Sequence, residues 1–300
     1  MSRIAIFGAT SQIARDFIDR SGGTHELLLY ARRPEAINGL SVLPFADYGR
    51  ISHDAIINFV GAGSPAKIKD MGSTIFDVTQ EFDTLALSFV KKNKSCRYIF
   101  LSSGVASGRS FLTEDPASSE EIKDLTNVAA VAPQDYYSAA KFQAESRHSA
   151  LADLPIVDIR VFNYFSRSSN LSDRFFITDL IRALKDKTVF KTSAGLMVRD
   201  YMHPDDFHQL IELILTAPPT NKVVDGYSRS PIDKITLLKE MEARFGLRYE
   251  ITEANPPIVN ATGAKPYYYS TGHNAADFGY KPKYSSVEGL IKEISALLAV

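Results

Sequence analysis

Two side chains that could handle a proton lie four residues apart, at Tyr137 and Lys141. On a helix this spacing places both on one face. A free tyrosine has a pKa of about 10, so only about 0.1% of it is phenolate at neutral pH. A nearby ammonium stabilises the phenolate and lowers that pKa, which would make Tyr137 a usable general acid or base. An exposed helical pair without chemistry is the commonest alternative explanation of the same spacing.

Hydroxyl groups follow a buried-looking apolar segment upstream of this pair, at Ser102 and Ser103. The apolar segment is predicted to be a strand, and α/β sheets bind ligands at the carboxyl ends of their strands. A serine at this point is therefore predicted to hydrogen-bond a substrate oxygen beside Tyr137.

The residues from Gly8 to Ala14 join the first apolar segment to an amphipathic one. A glycine there allows a tight turn, and the N–H groups that begin the following helix can bind a pyrophosphate. Of three positions that are usually glycine in dinucleotide loops, only Gly8 is retained, and small residues replace the other two. An ordinary strand–helix turn explains this weak pattern equally well, but its place after the first strand favours a dinucleotide. The predicted cofactor contacts in this loop are Gly8, Thr10, Ser11, Gln12 and Ile13.

The residues at the end of the second apolar segment help to distinguish an NAD site from an NADP site. An NAD site usually presents an acidic residue there, which bonds the ribose 2′-hydroxyl. Here Arg32 and Arg33 follow Tyr30, without an acid at the tip. A guanidinium can bind a 2′-phosphate through paired hydrogen bonds. We therefore expect NADP(H) rather than NAD(H), with a solvated basic turn as the alternative.

Short apolar segments alternate with amphipathic ones over the first two-thirds of the chain. The apolar segments are continuous in Ile, Leu, Val and Phe, which is typical of a parallel sheet covered on both faces. This order predicts a doubly wound α/β fold. The predicted strands are 4–7, 26–30, 55–60, 97–101 and 156–162, and the predicted helices are 12–20, 78–92, 136–151, 205–216 and 235–245.

The composition excludes several classes of function. The chain has 300 residues, of which 45% are hydrophobic and 23% charged, and its net charge of -1 offers no basic excess for nucleic acid or an anionic membrane. One cysteine, Cys96, excludes a disulfide scaffold, and the histidines show no metal-ligand spacing. No apolar run reaches the roughly 18 residues of a membrane span, and we expect no signal peptide before the first predicted strand. The expected location is cytoplasmic.

Six segments in order resemble the extended short-chain dehydrogenase/reductases of the nucleotide-sugar epimerase/dehydratase family. They are the Gly8 loop, Ser102-Ser103, 137–145, 160–163, 199–206 and 278–282. The resemblance implies a Rossmann-type, NAD(P)-binding domain over 1–165. A smaller mixed region over 166–300 would bind the nucleotide sugar, and some of its strands could return to the first domain.

The resemblance also implies residue roles. It makes Ser103, Tyr137 and Lys141 catalytic, with the last two also touching the cofactor. The implied contacts elsewhere are Asn163 and Arg199 near the substrate diphosphate, Asp47 and Tyr48 on the adenine side of the cofactor, and Gly61 beside the cofactor. By analogy with the family, a homodimer would form through helices 78–92 and 136–151.

One departure from the family narrows the function. Dehydratases carry an Asp-Glu pair after the catalytic hydroxyl, whereas this chain has Gly104 and Val105, which cannot move protons. A dehydratase is therefore not expected. The first reading is an NADP(H)-dependent reductase of a keto-sugar nucleotide in which Tyr137 gives the proton. The alternatives are an epimerase with tightly bound NAD(P) and, less favoured, a dinucleotide-binding module without turnover.

Overall fold

The computed structural model describes residues 1–33, 37, 39–109, 111–114, 131–252 and 265–299. Over the first half of the chain it contains the strands and helices that the apolar pattern predicts, together with a short additional strand at Val42–Leu43 and an additional helix at Pro65–Met71. The strands are β1 (Arg3–Phe7), β2 (Glu26–Tyr30), β3 (Val42–Leu43), β4 (Ala55–Asn58), β5 (Arg97–Ser103), β6 (Ile156–Val161), β7 (Asn163–Tyr164), β8 (Val189–Ser193), β9 (Val198–Arg199), β10 (Tyr201–Met202), β11 (Lys222–Gly226), β12 (Ile232–Asp233), β13 (Arg248–Thr252) and β14 (Tyr267–Tyr268). The α-helices are α1 (Gln12–Arg20), α2 (Pro65–Met71), α3 (Thr74–Lys92), α4 (Tyr136–Ser149), α5 (Phe176–Asp186), α6 (Pro204–Thr216), α7 (Lys234–Phe245) and α8 (Ser286–Leu298).

The main sheet of the described chain has seven parallel strands in the order β11-β6-β5-β4-β1-β2-β3. The chain starts in the middle, winds outward to β3, and then returns across β1 to build the other half. This arrangement is the doubly wound Rossmann-type fold that the sequence predicts. The central strands are buried on both faces, which explains why their apolar runs do not alternate.

Helices cover both faces of this sheet. On one face α1 and α6 contribute Phe17 and Phe207 to a core that includes Ile4 and Ile6. On the other, the amphipathic helices α3 and α4 bury Phe82 and other apolar residues against the sheet. The sheet is thus held between two apolar layers, and its carboxyl edge is left to the loops.

The later part of the chain contributes to two cores. Strand β11 pairs with β6 at the edge of the main sheet, and α6 packs on the same sheet. Helices α5, α7 and α8 form a separate apolar cluster with β8. Helix α8 begins with a capping box in which Ser285 and Glu288 satisfy each other's backbone N–H groups.

Several predicted boundaries shift. The strand predicted over 97–101 continues to Ser103, whereas the strand predicted over 55–60 ends at Asn58. The helix predicted over 78–92 begins at Thr74, and the one over 136–151 ends at Ser149. None of the helices in the described ranges combines the length and apolar character that crossing a membrane requires.

Candidate active site

The strand register brings the predicted site residues to one edge of the sheet. Phe7 pairs with both Tyr30 and Asn58, and Ser103 pairs with Val161. The parallel strands therefore end at similar heights, and the residues that follow them form a continuous rim. Gly8, Arg32, Gly61, Ser103 and Asn163 all lie on this rim.

The first turn requires glycine at position 8. Gly8 has φ +72°, and a Cβ atom there would lie 3.1 Å from backbone atoms of Phe59 and Val60. The N–H groups of Gly8 and Ala9 both donate to the carbonyl of Tyr30. This turn delivers the chain directly into α1, whose N-cap residue is Ser11.

The start of α1 has the features of an anion site. No side chain caps the helix, and the hydroxyl of Ser11 is buried without a hydrogen-bond partner among the described residues. An unpartnered buried hydroxyl beside uncapped helical N–H groups fits a bound pyrophosphate. Ile13 packs on the core, and Thr10 is exposed at the turn. A dinucleotide therefore fits the residues present.

Gln12 has a second connection that the sequence did not indicate. Its side-chain amide donates to the hydroxyls of Ser166, at 3.1 Å, and Ser169, at 2.7 Å. The amide thus links the segment after β7 to the turn that begins at Gly8.

The predicted adenosine-side residues differ in how they are placed. Arg32 and Arg33 are exposed beyond β2, and neither forms an ion pair within the described chain. Asp47 pairs with Arg50 at 2.9 Å. The ring of Tyr48 instead packs inward, 4.6 Å from the ring centroid of Phe7. A cofactor contact at Tyr48 would therefore have to use its backbone.

Ser103 ends β5 with its side chain buried. Gly104 follows it, and a Cβ atom at that position would lie 2.5 Å from the ring of Phe162. No larger residue fits there unless this ring moves, so packing as well as chemistry separates the site from the Asp-Glu arrangement of dehydratases. The next turn, Gly104–Ser107, is a 3₁₀ helix.

The predicted effect of Lys141 on Tyr137 is wrong in this structure. Burial of the hydroxyl raises the pKa of Tyr137, and only a hydrogen bond from Ser103 lowers it in part. The ammonium of Lys141 donates to the carbonyl of Leu101 at 2.6 Å and lies over the ring of Phe100. These contacts hold the ammonium beneath the site, against β5. Tyr137 is held as a neutral phenol, the form that can give a proton.

Lys141 itself is almost fully buried, with 3% of its surface exposed. Burial lowers its pKa to about 8, although the charge of Glu145 and two more distant carboxylates opposes this effect. A Cβ atom at Gly61 would lie 3.6 Å from its Nζ atom. Gly61 therefore lies next to the buried ammonium at the carboxyl edge of the sheet.

The two residues that are predicted to lie near the substrate diphosphate, Asn163 and Arg199, both bind the backbone of one later segment. The side-chain amide of Asn163 donates to the carbonyls of Asp200 and Tyr268, at 3.0 and 3.4 Å. The guanidinium of Arg199 donates to the carbonyls of Lys265, at 2.7 Å, and Pro266, at 3.2 Å. Burial lowers the pKa of Arg199. Both residues therefore hold the strand β14 against the site.

Two site features were not found from the sequence. Tyr268 on β14 places its hydroxyl 3.2 Å from Ser103 Oγ, although 165 residues separate them. Glu145 accepts a hydrogen bond from Ser102 at 2.5 Å and pairs with Arg160 at the same distance. The run of three tyrosines at 267–269 gives no signal of which ring faces the site. Among the described residues, no group of His, Cys, Asp or Glu could hold a metal ion.

Three solved structures share this fold over nearly the whole chain. The UDP-N-acetylglucosamine 4-epimerase from Methanobrevibacter ruminantium, in complex with UDP-N-acetylmuramic acid, is 13% identical with a TM-score of 0.80, over 99% of this chain and 98% of that one. The dTDP-glucose 4,6-dehydratase from Bacillus anthracis, in complex with NAD, is 16% identical with a TM-score of 0.74, over 98% and 96%. RMD from Pseudomonas aeruginosa, complexed with NADPH, is 16% identical with a TM-score of 0.73, over 98% and 99%. At these identities the likeness shows the fold.

The family assignment comes from the sequence itself. Among the curated proteins, none matches this sequence. The family model described as the NAD dependent epimerase/dehydratase family matches residues 4–226, which include the dinucleotide turn, Ser103, Tyr137 and Lys141. That family supports a nicotinamide dinucleotide as the cofactor, in agreement with the start of α1, where no described side chain caps the helix or bonds the Ser11 hydroxyl. The chain belongs to the NAD-dependent epimerase/dehydratase family of enzymes.

Proposed function

We propose that the protein is an NADP(H)-dependent reductase of a keto-sugar nucleotide. The observation that carries this proposal is the convergence of a neutral, partly buried phenol, Tyr137, with the hydroxyl of Ser103 at the carboxyl edge of the sheet. Reduction of a carbonyl needs a proton donor at the new alkoxide, and a neutral tyrosine supplies one. Oxidation would need the phenolate instead, which burial disfavours.

The roles of the side chains follow from their positions. Ser103 donates a hydrogen bond to the substrate carbonyl oxygen and holds it beside Tyr137. Tyr137 transfers its proton to that oxygen as negative charge develops there. When bound, the nicotinamide supplies the hydride. Lys141 provides a positive charge beneath the site, next to Gly61.

The preference for NADP(H) is supported by charge at the end of β2. Arg32 and Arg33 are exposed there, and within the described chain no carboxylate pairs with them. A 2′-phosphate would meet two cations for which the described residues provide no competing carboxylate. Because guanidinium groups bind phosphate through two parallel hydrogen bonds, this turn favours the phosphorylated cofactor.

We propose that Arg199 and Asn163 face the diphosphate of the substrate. Within the described ranges, one guanidinium nitrogen of Arg199 carries its hydrogen bonds to backbone carbonyls. Its remaining N–H groups could bind an anion. The similar structure from Methanobrevibacter ruminantium holds a UDP-linked sugar, which supports a nucleotide sugar as the substrate class.

An epimerase is the second candidate. Several of the similar structures are nucleotide-sugar 4-epimerases, and the family description names epimerases. The same Ser103, Tyr137 and Lys141 would serve an oxidation followed by a re-reduction. A dehydratase is disfavoured because Gly104 and Val105 lack a proton to move and Phe162 fills the space beside Gly104.

The test is to supply the purified protein with NADPH and a panel of keto-sugar nucleotides while following nicotinamide absorbance. In parallel, the protein receives UDP-sugars without added cofactor, and the sugar products are identified. A reductase consumes NADPH in proportion to the alcohol formed. Interconversion of epimers by protein that retains nicotinamide through dialysis would instead establish the second candidate.

A further inference from the structure

The hydroxyl of Tyr268 lies next to Ser103, although Tyr268 was not among the predicted site residues. It lies 3.2 Å from Ser103 Oγ, and the backbone N–H of Val105 interacts with the same hydroxyl. Its ring packs with Phe111 and Phe162, and the partly buried Tyr137 packs against the same cluster. Three hydroxyls, from Ser103, Tyr137 and Tyr268, therefore meet at the end of β5.

The direction of these hydrogen bonds can be assigned from their partners. A serine hydroxyl carries one proton, so Ser103 can donate only one hydrogen bond at a time. Either oxygen could donate in the 3.2 Å contact between Ser103 and Tyr268. If Ser103 gives its one proton to the substrate oxygen, as the proposed function requires, Tyr268 must be the donor in this contact. Once Ser103 accepts from Tyr268, its own proton is directed away from Tyr268 and toward Tyr137, with which it also bonds. Bonds in such a chain strengthen one another.

We propose that Tyr268 is a positioning residue: its hydroxyl donates to Ser103 and thereby fixes the Ser103 proton toward the oxygen that receives a proton from Tyr137. The proposal rests on the proposed function, since it assigns Ser103 and Tyr137 to the same substrate oxygen. Asn163 and Arg199 bind backbone carbonyls within 265–268, and these bonds fix the position of Tyr268 relative to Ser103.

The kinetic test is a double-mutant cycle between Tyr268→Phe and Ser103→Ala. Tyr268→Phe removes one hydroxyl and keeps the ring, so we expect kcat to fall about five- to tenfold while KM changes less than twofold. In the Ser103→Ala background the same change should have almost no effect, because the residue through which it acts is gone. Equal losses in both backgrounds, or no loss in either, would overturn the proposal.

A matched control is available one residue away. Tyr269 donates to the carbonyl of Glu114 at 3.3 Å, outside the cluster around Ser103. Tyr269→Phe also removes one phenolic hydroxyl from the same segment, and it should leave kcat unchanged. A loss equal to that of Tyr268→Phe would mean that the segment, rather than the bond to Ser103, is responsible.

A second readout does not require turnover. The NMR resonance of the ζ-carbon of Tyr137 reports the hydrogen bonding of its hydroxyl, and it is assigned by its loss in Tyr137→Phe. Ser103→Ala and Tyr268→Phe should shift this resonance in the same direction, and the double variant should shift it no further than Ser103→Ala alone. An unmoved resonance in Tyr268→Phe would overturn the proposal. If no nucleotide sugar is turned over, the proposed function fails, while this measurement still decides the role of Tyr268.

A third variant covers the case in which Tyr268→Phe does not fold. Replacing Tyr268 by a ring-fluorinated tyrosine keeps the hydroxyl and makes it a stronger donor. The Tyr137 resonance should then move in the direction opposite to that caused by Ser103→Ala. A shift in the same direction would contradict donation from Tyr268 to Ser103.

Discussion

The ammonium of Lys141 lies 2.6 Å from the carbonyl oxygen of Leu101 and 4.2 Å from the ring centroid of Phe100. Both contacts come from β5, the strand that ends in Ser103. Helix α4, which carries Tyr137, and strand β5 are thus joined by a buried charge. That charge is maintained by neighbouring carboxylates, Glu145 above all, against a burial effect that lowers the pKa of Lys141 to about 8.

This position of Lys141 predicts the alkaline limit of activity. The charged form of Lys141 is lost as pH rises through about 8, whereas burial raises the pKa of Tyr137 and keeps the phenol neutral. We therefore expect kcat to fall with a midpoint near pH 8, and to fall because of Lys141. In Lys141→Met the remaining activity should be much lower and should show no limb near that pH. A wild-type profile that stays flat well above this value would contradict the assignment.

Cofactor selectivity is predicted to depend on Arg32 and Arg33. Changing both to alanine should raise the Kd for NADPH at least about tenfold, because charge-assisted hydrogen bonds to the phosphate are lost. The Kd for NADH should hardly change. Calorimetry with both cofactors measures the effect, and Arg174→Ala serves as the control because Arg174 is an exposed cation on the loop before α5. Equal losses for NADPH and NADH would show that these arginines do not select the cofactor.

Arg199 is predicted to act on the substrate rather than on the cofactor. Arg199→Met should raise KM for the nucleotide sugar at least about tenfold, since a charged hydrogen-bond donor to the diphosphate is removed. The Kd for NADPH should remain the same. Because Arg199 also holds the carbonyls of Lys265 and Pro266, a lower Tm should accompany the change. Lost cofactor binding with a normal KM would reverse the assignment.

A buried ionic cluster behind α4 predicts how stability depends on pH. His148 lies between Asp83 and Asp158 at 2.6 Å from each. Burial lowers the pKa of His148, but the two carboxylates outweigh that effect and raise it to about 9. The unfolded-state value is about 6.5, so the stabilisation is complete below that pH and is lost as pH rises through about 9. The loss should reach roughly 3 kcal/mol in the free energy of unfolding.

Urea unfolding between these two pH values measures the effect. His148→Gln should be less stable at neutral pH and should lose most of the pH dependence. His273→Gln, which changes an exposed histidine, should keep the wild-type slope. If His148→Gln retained that slope, another group would have to be responsible.

The fold could be predicted from the sequence because its signals are local. Continuous apolar runs such as 97–101 indicate buried parallel strands, and the glycine turn at Gly8 indicates the start of the first helix. The candidate site could be predicted from the sequence only in part. The pKa of Tyr137 depends on enclosure by distant segments, and helical spacing to Lys141 alone predicted its direction wrongly. Tyr268 reaches Ser103 across 165 residues through a strand pairing that no local pattern encodes.

The central claim is that Tyr137 gives the proton when a sugar carbonyl is reduced. Its most direct test is single-turnover oxidation of NADPH with a keto-sugar nucleotide, in the wild type and in Tyr137→Phe. The variant loses only a hydroxyl, so NADPH affinity and folding should change little, whereas the rate should fall about 10²–10⁴-fold. A Tyr137→Phe protein that oxidises NADPH at a near-normal rate would contradict the account.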